Sequence, residues 1–382
     1  MSEQKNIIIL GAAFVGIPTA HKLLRTLPTT HKLILVNPST HYYWNIAAPR
    51  AAVIPDAFGA NNASIFHPIA PALTAANGSF IHGSATALDP AAATVTITHN
   101  DGKTETLSYD QLIITTGSRH SSAWPFRPAD SKEATLAALA ESQTKIEAAN
   151  SIVISGGGPT SIELAGEIAS FYPKKTLTLV SGTEQLLPTT KPVVGATAKK
   201  TLEKLGVKVI TGTRATETPG KDSGVEVALS TGEVLAVDLH IPAVGSLPNT
   251  DFLPKSILDD YGWVKVTHEL RVEGYENLWA AGDVTTLGPR TSMAACDQVP
   301  ILAGNVGAAL KGERPVLKQY NPSPVGPIIA VPVGPKFPNG TGEAFGWKLP
   351  GVVVWALKGR SFFVGSVKGV AEGKALANGQ KV

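Results

Sequence analysis

Lys5-Asn6-Ile7-Ile8-Ile9-Leu10-Gly11-Ala12-Ala13-Phe14-Val15-Gly16 decides the fold of this chain. Ile7 to Leu10 is a continuous apolar run, the pattern of a parallel strand buried on both faces. Gly11 breaks the run, and Val15, Ile17, Ala20, Leu23, Leu24 and Leu27 then recur at helical spacing. Strand, glycine turn and helix in that order form a dinucleotide-binding fingerprint. Gly11 permits the sharp turn, and Gly16 lets the helix pack close to the strand. The free N–H groups at the helix start, with the helix dipole behind them, then face a pyrophosphate. Ala13 stands where the middle glycine is usual, the smallest departure available, and reads as a tolerated variant.

The same grammar recurs in Ser151-Ile152-Val153-Ile154-Ser155-Gly156-Gly157-Gly158-Pro159-Thr160-Ser161. Each unit has a second strand, Lys32–Val36 and Thr176–Val180, ending at Asn37 and Ser181. Gly11 to Asn37 spans 26 residues and Gly156 to Ser181 spans 25. A repeated βαβ unit is far more specific than either motif alone and implies two dinucleotide sites. An acidic residue usually ends the second strand and binds the adenosine ribose. Asn37 can accept a hydrogen bond without charge, and reads equally well as a turn residue before Pro38. Ser181 removes discrimination against a 2′-phosphate, yet no Arg follows at once to favour it, so NADH and NADPH both stay open.

The intervening sequence fits this frame. Residues 80–108 read as a meander turning at Asn100-Asp101-Gly102, and Leu112–Gly117 as a buried strand ending in glycine. Val225–Leu229 and Val234–Val237 form a second hairpin, and Asn277–Val284 is a strand running into Gly282-Asp283. A helix is expected from about Met293 to Leu310, kinked at Pro300. From Pro315, through Pro324, Pro327 and Pro332, the chain reads as extended, followed by short strands and helices over 345–370.

Composition bounds the function. The chain has 382 residues, 43% hydrophobic and 16% charged, with net charge +3 and no basic run, so nucleic acid is not implied. One cysteine, Cys296, excludes an internal disulfide or a Cys-x-x-Cys redox pair and reads as a core residue rather than a nucleophile. Met1 to Lys5 leaves no room for a leader, Ser2 excludes N-myristoylation, and no apolar run has the length of a membrane span. A cytoplasmic protein without a membrane anchor is expected.

With Thr115-Thr116-Gly117, Val244-Gly245-Ser246-Leu247-Pro248-Asn249 and Ala281-Gly282-Asp283 added, the paired fingerprints resemble the glutathione-reductase-like flavoproteins. Asn45-Ile46-Ala47-Ala48-Pro49-Arg50 and Ile162–Ile168 look most like the apoptosis-inducing-factor-like branch, specifically ferroptosis-suppressor-type NAD(P)H:quinone oxidoreductases. The resemblance implies an α/β fold with two Rossmann-like domains and a small C-terminal α+β domain. The boundaries implied are 1–120 and 246–318 for FAD, 121–245 for NAD(P)H, and 319–382 at the C-terminus.

The cofactors implied are FAD with NADH or NADPH. Gly11, Ala12, Ala13, Phe14, Val15 and Gly16 would hold the FAD pyrophosphate, with Asn37 at the ribose. Arg50, Ala85 and Asp283 would complete the FAD site, Asp283 binding the ribitol, and Thr116, Gly117 and Gly245 would also bind cofactor. Met293 and Ala294 would open a helix aimed at the flavin. Gly156, Gly158, Thr160 and Ser181 would hold the nicotinamide cofactor, with Glu163 at its reactive end as the catalytic residue. Arg50 and Glu163 read otherwise as a surface cation and a solvated helix residue. Hydride would pass to the flavin and on to a small quinone-like acceptor. Phe362 and Phe363, on a strand, would send one ring to that acceptor and the other away. The departure at Ser161, with Ser181, leaves open an oxidase or natural-product tailoring enzyme with a degenerate nicotinamide half, and a redox-sensing protein is the third reading.

Overall fold

The apolar runs become parallel strands because each is covered on both faces. The computed structural model describes residues 5–219, 224–311, 316–322 and 328–382. In chain order the elements that matter are β1 (Lys5–Leu10), α1 (Gly16–Leu24), β2 (His31–Asn37), β3 (Ser79–Asp89), β4 (Thr94–His99), β5 (Thr104–Ser108) and β6 (Gln111–Ile114). Then come β7 (Ser151–Ser155), α2 (Pro159–Phe171), β8 (Thr176–Val180), β9 (Lys208–Ile210), β10 (Leu239–Pro242), β11 (Leu278–Ala280) and α3 (Ser292–Ala309). The C-terminal strands are β12 (Ile329–Pro332), β13 (Gly340–Ala344) and β14 (Trp347–Leu349).

The first sheet has seven strands in the order β11-β6-β1-β2-β3-β4-β5, parallel from β11 to β3 and antiparallel beyond. The second has four parallel strands in the order β9-β8-β7-β10. β12, β13 and β14 form a third, antiparallel sheet. The α/β class with repeated Rossmann-like units therefore stands. Of the proline-rich stretch, Pro315, Pro324 and Pro327 lie outside the described residues, and Pro332 ends β12. α3 runs through Pro300.

The chain crosses between the first two sheets twice, and the crossings pair as an antiparallel ribbon, Ser118–His120 with Ser246–Pro248. Thr116 Oγ1 donates to the Asn249 carbonyl and Asn249 Nδ2 donates to the Thr116 carbonyl, both at 2.8 Å. The main apolar cluster takes residues from all three sheets: Ile7 and Leu35, Ile152 and Leu179, and Val331. α2 meets the C-terminal part so closely that a Cβ built on Gly166 would lie 2.4 Å from the Gly334 nitrogen.

A buried ion pair fastens the same junction. Arg50 Nη2 and Nε donate to the two carboxylate oxygens of Glu167 at 2.8 and 3.0 Å. Arg50 Nη2 also reaches the Gly359 carbonyl at 2.9 Å, and its guanidinium lies 4.6 Å from the centre of the Phe362 ring. Removing one partner leaves the other charge buried and unpaired, which costs about 3–5 kcal/mol. Arg50→Ala should lower the urea midpoint accordingly, and the apolar pair Arg50→Met with Glu167→Leu should cost far less. Equal losses in the two variants would show that the pair does not act through burial.

Candidate functional site

A cavity of about 1280 Å³ opens at the carboxyl ends of β1, β2 and β6, lined there by Leu10, Val36, Asn37 and Thr115. Gly11, Ala12, Ala13, Phe14 and Val15 form its floor. Gly11 has φ +97°, and a Cβ there would lie 2.5 Å from the Thr115 carbonyl oxygen, so only glycine fits. A Cβ on Gly16 would meet the Gly11 carbonyl at 1.9 Å, which is the close helix–strand approach the sequence implies. The start of α1 has no side-chain cap; Ile17 and Thr19 N–H are taken by the Ala13 and Val15 carbonyls, which leaves the N–H groups of residues 13–16 for a ligand. Asn37 Oδ1 accepts from the Ala12 N–H at 2.9 Å, and Asn37 Nδ2 donates to the Ser39 carbonyl at 2.8 Å. Its acceptor atom thus fastens the loop as well as facing the cavity.

Ala85, Thr116, Gly117, Asp283 and Met293 also line the cavity. Asp283 accepts from Arg127 Nη2 at 2.9 Å, a partner the sequence gave no reason to expect. Ala294 lies behind the wall, its N–H donating to the Thr291 hydroxyl that caps α3. Cys296 is buried in the same helix, where burial pushes its thiol up to about 11, as suits a core residue. The glycine cradle, the uncapped helix start and a cavity long enough to reach Asp283 fit FAD.

The second fingerprint contributes Thr160 and Glu163 to the cavity, while Gly156, Gly158, Ser181 and Gly245 lie outside its walls. Gly156 has φ +139°, with the Ala243 carbonyl 2.8 Å from a built Cβ, so this turn too needs glycine. Gly158 caps α2 with open space around it, suited to close approach of a phosphate. Ser161 is buried and donates to the Gly158 carbonyl at 2.8 Å, so the missing third glycine is absorbed within the first helical turn. Ser181 Oγ bonds to Thr183 Oγ1 at 2.9 Å. Beside it the Arg214 Cγ would lie 3.3 Å from a Cβ on Gly182, and the Glu184 carboxylate sits against Gly212. Arg214, on the loop before the next strand, is thus the cation whose side chain passes beside Ser181 and Gly182.

Glu163 is not solvated: it is 3% exposed and accepts from Lys358 Nζ at 2.5 Å. Burial pushes its carboxyl up to about 7 against the opposing pull of the Lys358 ammonium. Two expectations need correction. Arg50 is neither a surface cation nor a cavity residue; bidentate pairing turns it to Glu167 and the 359–360 carbonyls. Phe362 and Phe363 are not on a strand. Both have left-handed backbone, φ 49° and 58°, which turns Phe362 into the core and leaves Phe363 on the cavity wall. Trp44 Nε1 holds the strained turn by donating to the Phe362 carbonyl at 2.7 Å. Lys358 was not legible in the sequence, because nothing local marks it and its partner is 195 residues away.

A family model described as pyridine nucleotide-disulphide oxidoreductase matches residues 5–298. The chain belongs to that family. Its members are FAD-dependent oxidoreductases that use NAD(P)H. The chain is 35% identical over 381 residues to the oxidoreductase ptaL of Pestalotiopsis fici, covering 97% of this chain and 100% of that protein. It is 27% identical over 375 residues to ferroptosis suppressor protein 1 of Xenopus laevis, covering 95% of each, which bears out the resemblance drawn from the motifs. The sulfide:quinone oxidoreductase structure from Aquifex aeolicus shares the fold, with TM-score 0.76 at 18% identity over 97% of this chain and 92% of that one. Among the described residues no helix is long and apolar enough to cross a membrane, and no group of three or more His, Cys, Asp or Glu is placed to hold a metal.

The pH dependence of this oxidoreductase follows from Glu163. Folding raises its carboxyl from 4.5 to about 7, so within that window the folded chain holds a proton the unfolded chain has released. This contribution to stability is complete below the window, falls as pH rises through it, and is lost above it. Glu163→Gln should therefore narrow the difference in urea midpoint between about pH 5 and about pH 8. An unchanged difference would place the ionisation of Glu163 outside the window.

Proposed function

We propose that this FAD-dependent oxidoreductase passes electrons from NAD(P)H to a small, flat, quinone-like acceptor held against the wall formed by Phe363. The wall carries the reading: Phe363, Ile328, Phe345, Leu349 and Leu357 give the cavity an apolar side in the C-terminal part. With one cysteine, Cys296, the chain has no internal dithiol to relay electrons, so the acceptor must come to the cavity itself. The relative from Aquifex aeolicus, named for sulfide and quinone, supports such an acceptor.

Bound FAD would supply the hydride and electron chemistry. The chain's own residues orient and insulate. Residues 11–16 would bind the pyrophosphate, Asp283 the ribitol hydroxyls, and Gly156, Gly158 and Thr160 the phosphates of NAD(P)H. Glu163, paired with Lys358, would hold a proton or a hydrogen bond at the reactive end of the nicotinamide cofactor. The close fit of Ser161 within the first turn of α2 favours a working nicotinamide half over the degenerate one.

The test is anaerobic. FAD bound to the purified protein should bleach on adding NADPH or NADH and recover its colour on adding a soluble quinone; failure of the quinone to restore colour would overturn the acceptor reading. Asp283→Ala should weaken FAD binding on the order of tenfold to a hundredfold, since a charged hydrogen bond is worth roughly 1.5–3 kcal/mol. FAD content unchanged after dialysis would show that Asp283 does not hold it. Phe363→Ala should raise the quinone KM about twofold to tenfold, from loss of stacking, and leave bleaching by NADPH nearly unchanged. Equal loss in both half-reactions would place Phe363 in the fold rather than at the acceptor.

A further inference from the structure

Fourteen large hydrophobic side chains are exposed among the described residues, and seven of them lie between Ile328 and Leu357. Trp347 is 78% exposed, Phe345 70% and Phe337 61%. The helix Gly351–Val354, continued by a wider turn over Trp355–Gly359, shows why its apolar residues are not all core. Val354 is fully buried, set against Gly340, where a built Cβ would lie 2.7 Å from it. The inner face is thus filled, and Val352, Val353 and Leu357 are left exposed. An apolar helix face is stable when something covers it, and among the described residues nothing covers this one.

The exposed groups are linked. Phe337 packs edge-on to Trp355 with ring centres 5.2 Å apart, and the Arg360 guanidinium lies 5.7 Å from the same Trp355 ring. Trp347, Lys348 and Phe345 belong to the adjoining hairpin of β13 and β14. The exposed charge is one-signed: residues 328–360 carry Lys336, Lys348, Lys358 and Arg360 against one acid, Glu343, which is buried. Lys358 is spent on Glu163, while Lys348 and Arg360 are exposed.

We propose that this face of the C-terminal part docks on the surface of an anionic lipid bilayer. Exposed Trp, Phe, Val and Leu interleaved with Lys and Arg match the interface, where apolar groups sit at the headgroup boundary and cations meet anionic lipid. A second copy suits the face less, because a two-fold contact would set its cations against one another. Ile328, Phe345 and Leu357 belong both to this face and to the cavity wall, so a docked protein opens its cavity toward the lipid. The docking goes beyond the acceptor reading and is tested without an acceptor.

The experiment is flotation of the full FAD-bound protein with vesicles of phosphatidylcholine, alone or mixed with phosphatidylserine. The protein should float with the mixed vesicles and stay behind with the neutral ones. Trp347→Ser with Val353→Ser, and separately Lys348→Glu with Arg360→Glu, should each abolish flotation while FAD content and bleaching by NADPH stay unchanged. These positions are exposed and lie outside the cavity wall, so both variants should fold. No flotation of the parent protein, equal flotation on neutral vesicles, or flotation unaltered in both variants would overturn the proposal. So would a dimer, seen by light scattering, that the Trp347 and Val353 changes dissolve.

Discussion

Two carboxyl–cation pairs set side by side on one helix fix how the parts of this protein meet. Arg50, from the helix that follows the first nucleotide unit's aromatic segment, grips Glu167 on α2, and Lys358, from the C-terminal part, grips Glu163 one helical turn earlier. Glu163 and Glu167 are i and i+4 on one helix, so they would repel each other if their cations were absent. Burial pushes both carboxyls up, and the two cations oppose that push. The arrangement is therefore reciprocal: the carboxylates need Arg50 and Lys358, and those cations reach α2 only if three distant segments converge.

The cavity wall follows from that convergence. Arg50 also holds the carbonyls of Gly359 and Arg360, and Trp44 holds that of Phe362. These bonds fasten both sides of a turn in which two consecutive phenylalanines take left-handed backbone. Such backbone is costly for a bulky residue and persists only when its surroundings over-determine it. The cation over the Phe362 ring and the buried seat of that ring provide this. Phe363 is then left facing the cavity, and Lys358 is delivered to Glu163.

What the sequence carried, and what it did not, divides along the same line. The strands and glycine turns were legible because their signals are local: an apolar run, a glycine that nothing else can replace, and a repeat of the same spacing. Asn37, Ala13 and Thr116, which those local signals put at the strand ends, line the cavity. The role of Arg50 was misread because its partner is 117 residues away and leaves no mark beside it. Phe362 and Phe363 suggested a strand because adjacent aromatics favour one, while the bonds that force a turn come from Trp44 and Arg50. Arg214 passes beside Gly182 from a separate loop, which no spacing rule after Ser181 anticipates.

The central claim is that the buried charges make the C-terminal turn one cooperative unit with the nucleotide-binding parts. Hydrogen exchange of peptides covering 355–366 tests it most directly. In the parent protein these amides should exchange as slowly as those of the central strand Ser151–Ser155. In Arg50→Met they should exchange far faster while Ser151–Ser155 stays protected. Protection over 355–366 that is unchanged in Arg50→Met would contradict the account.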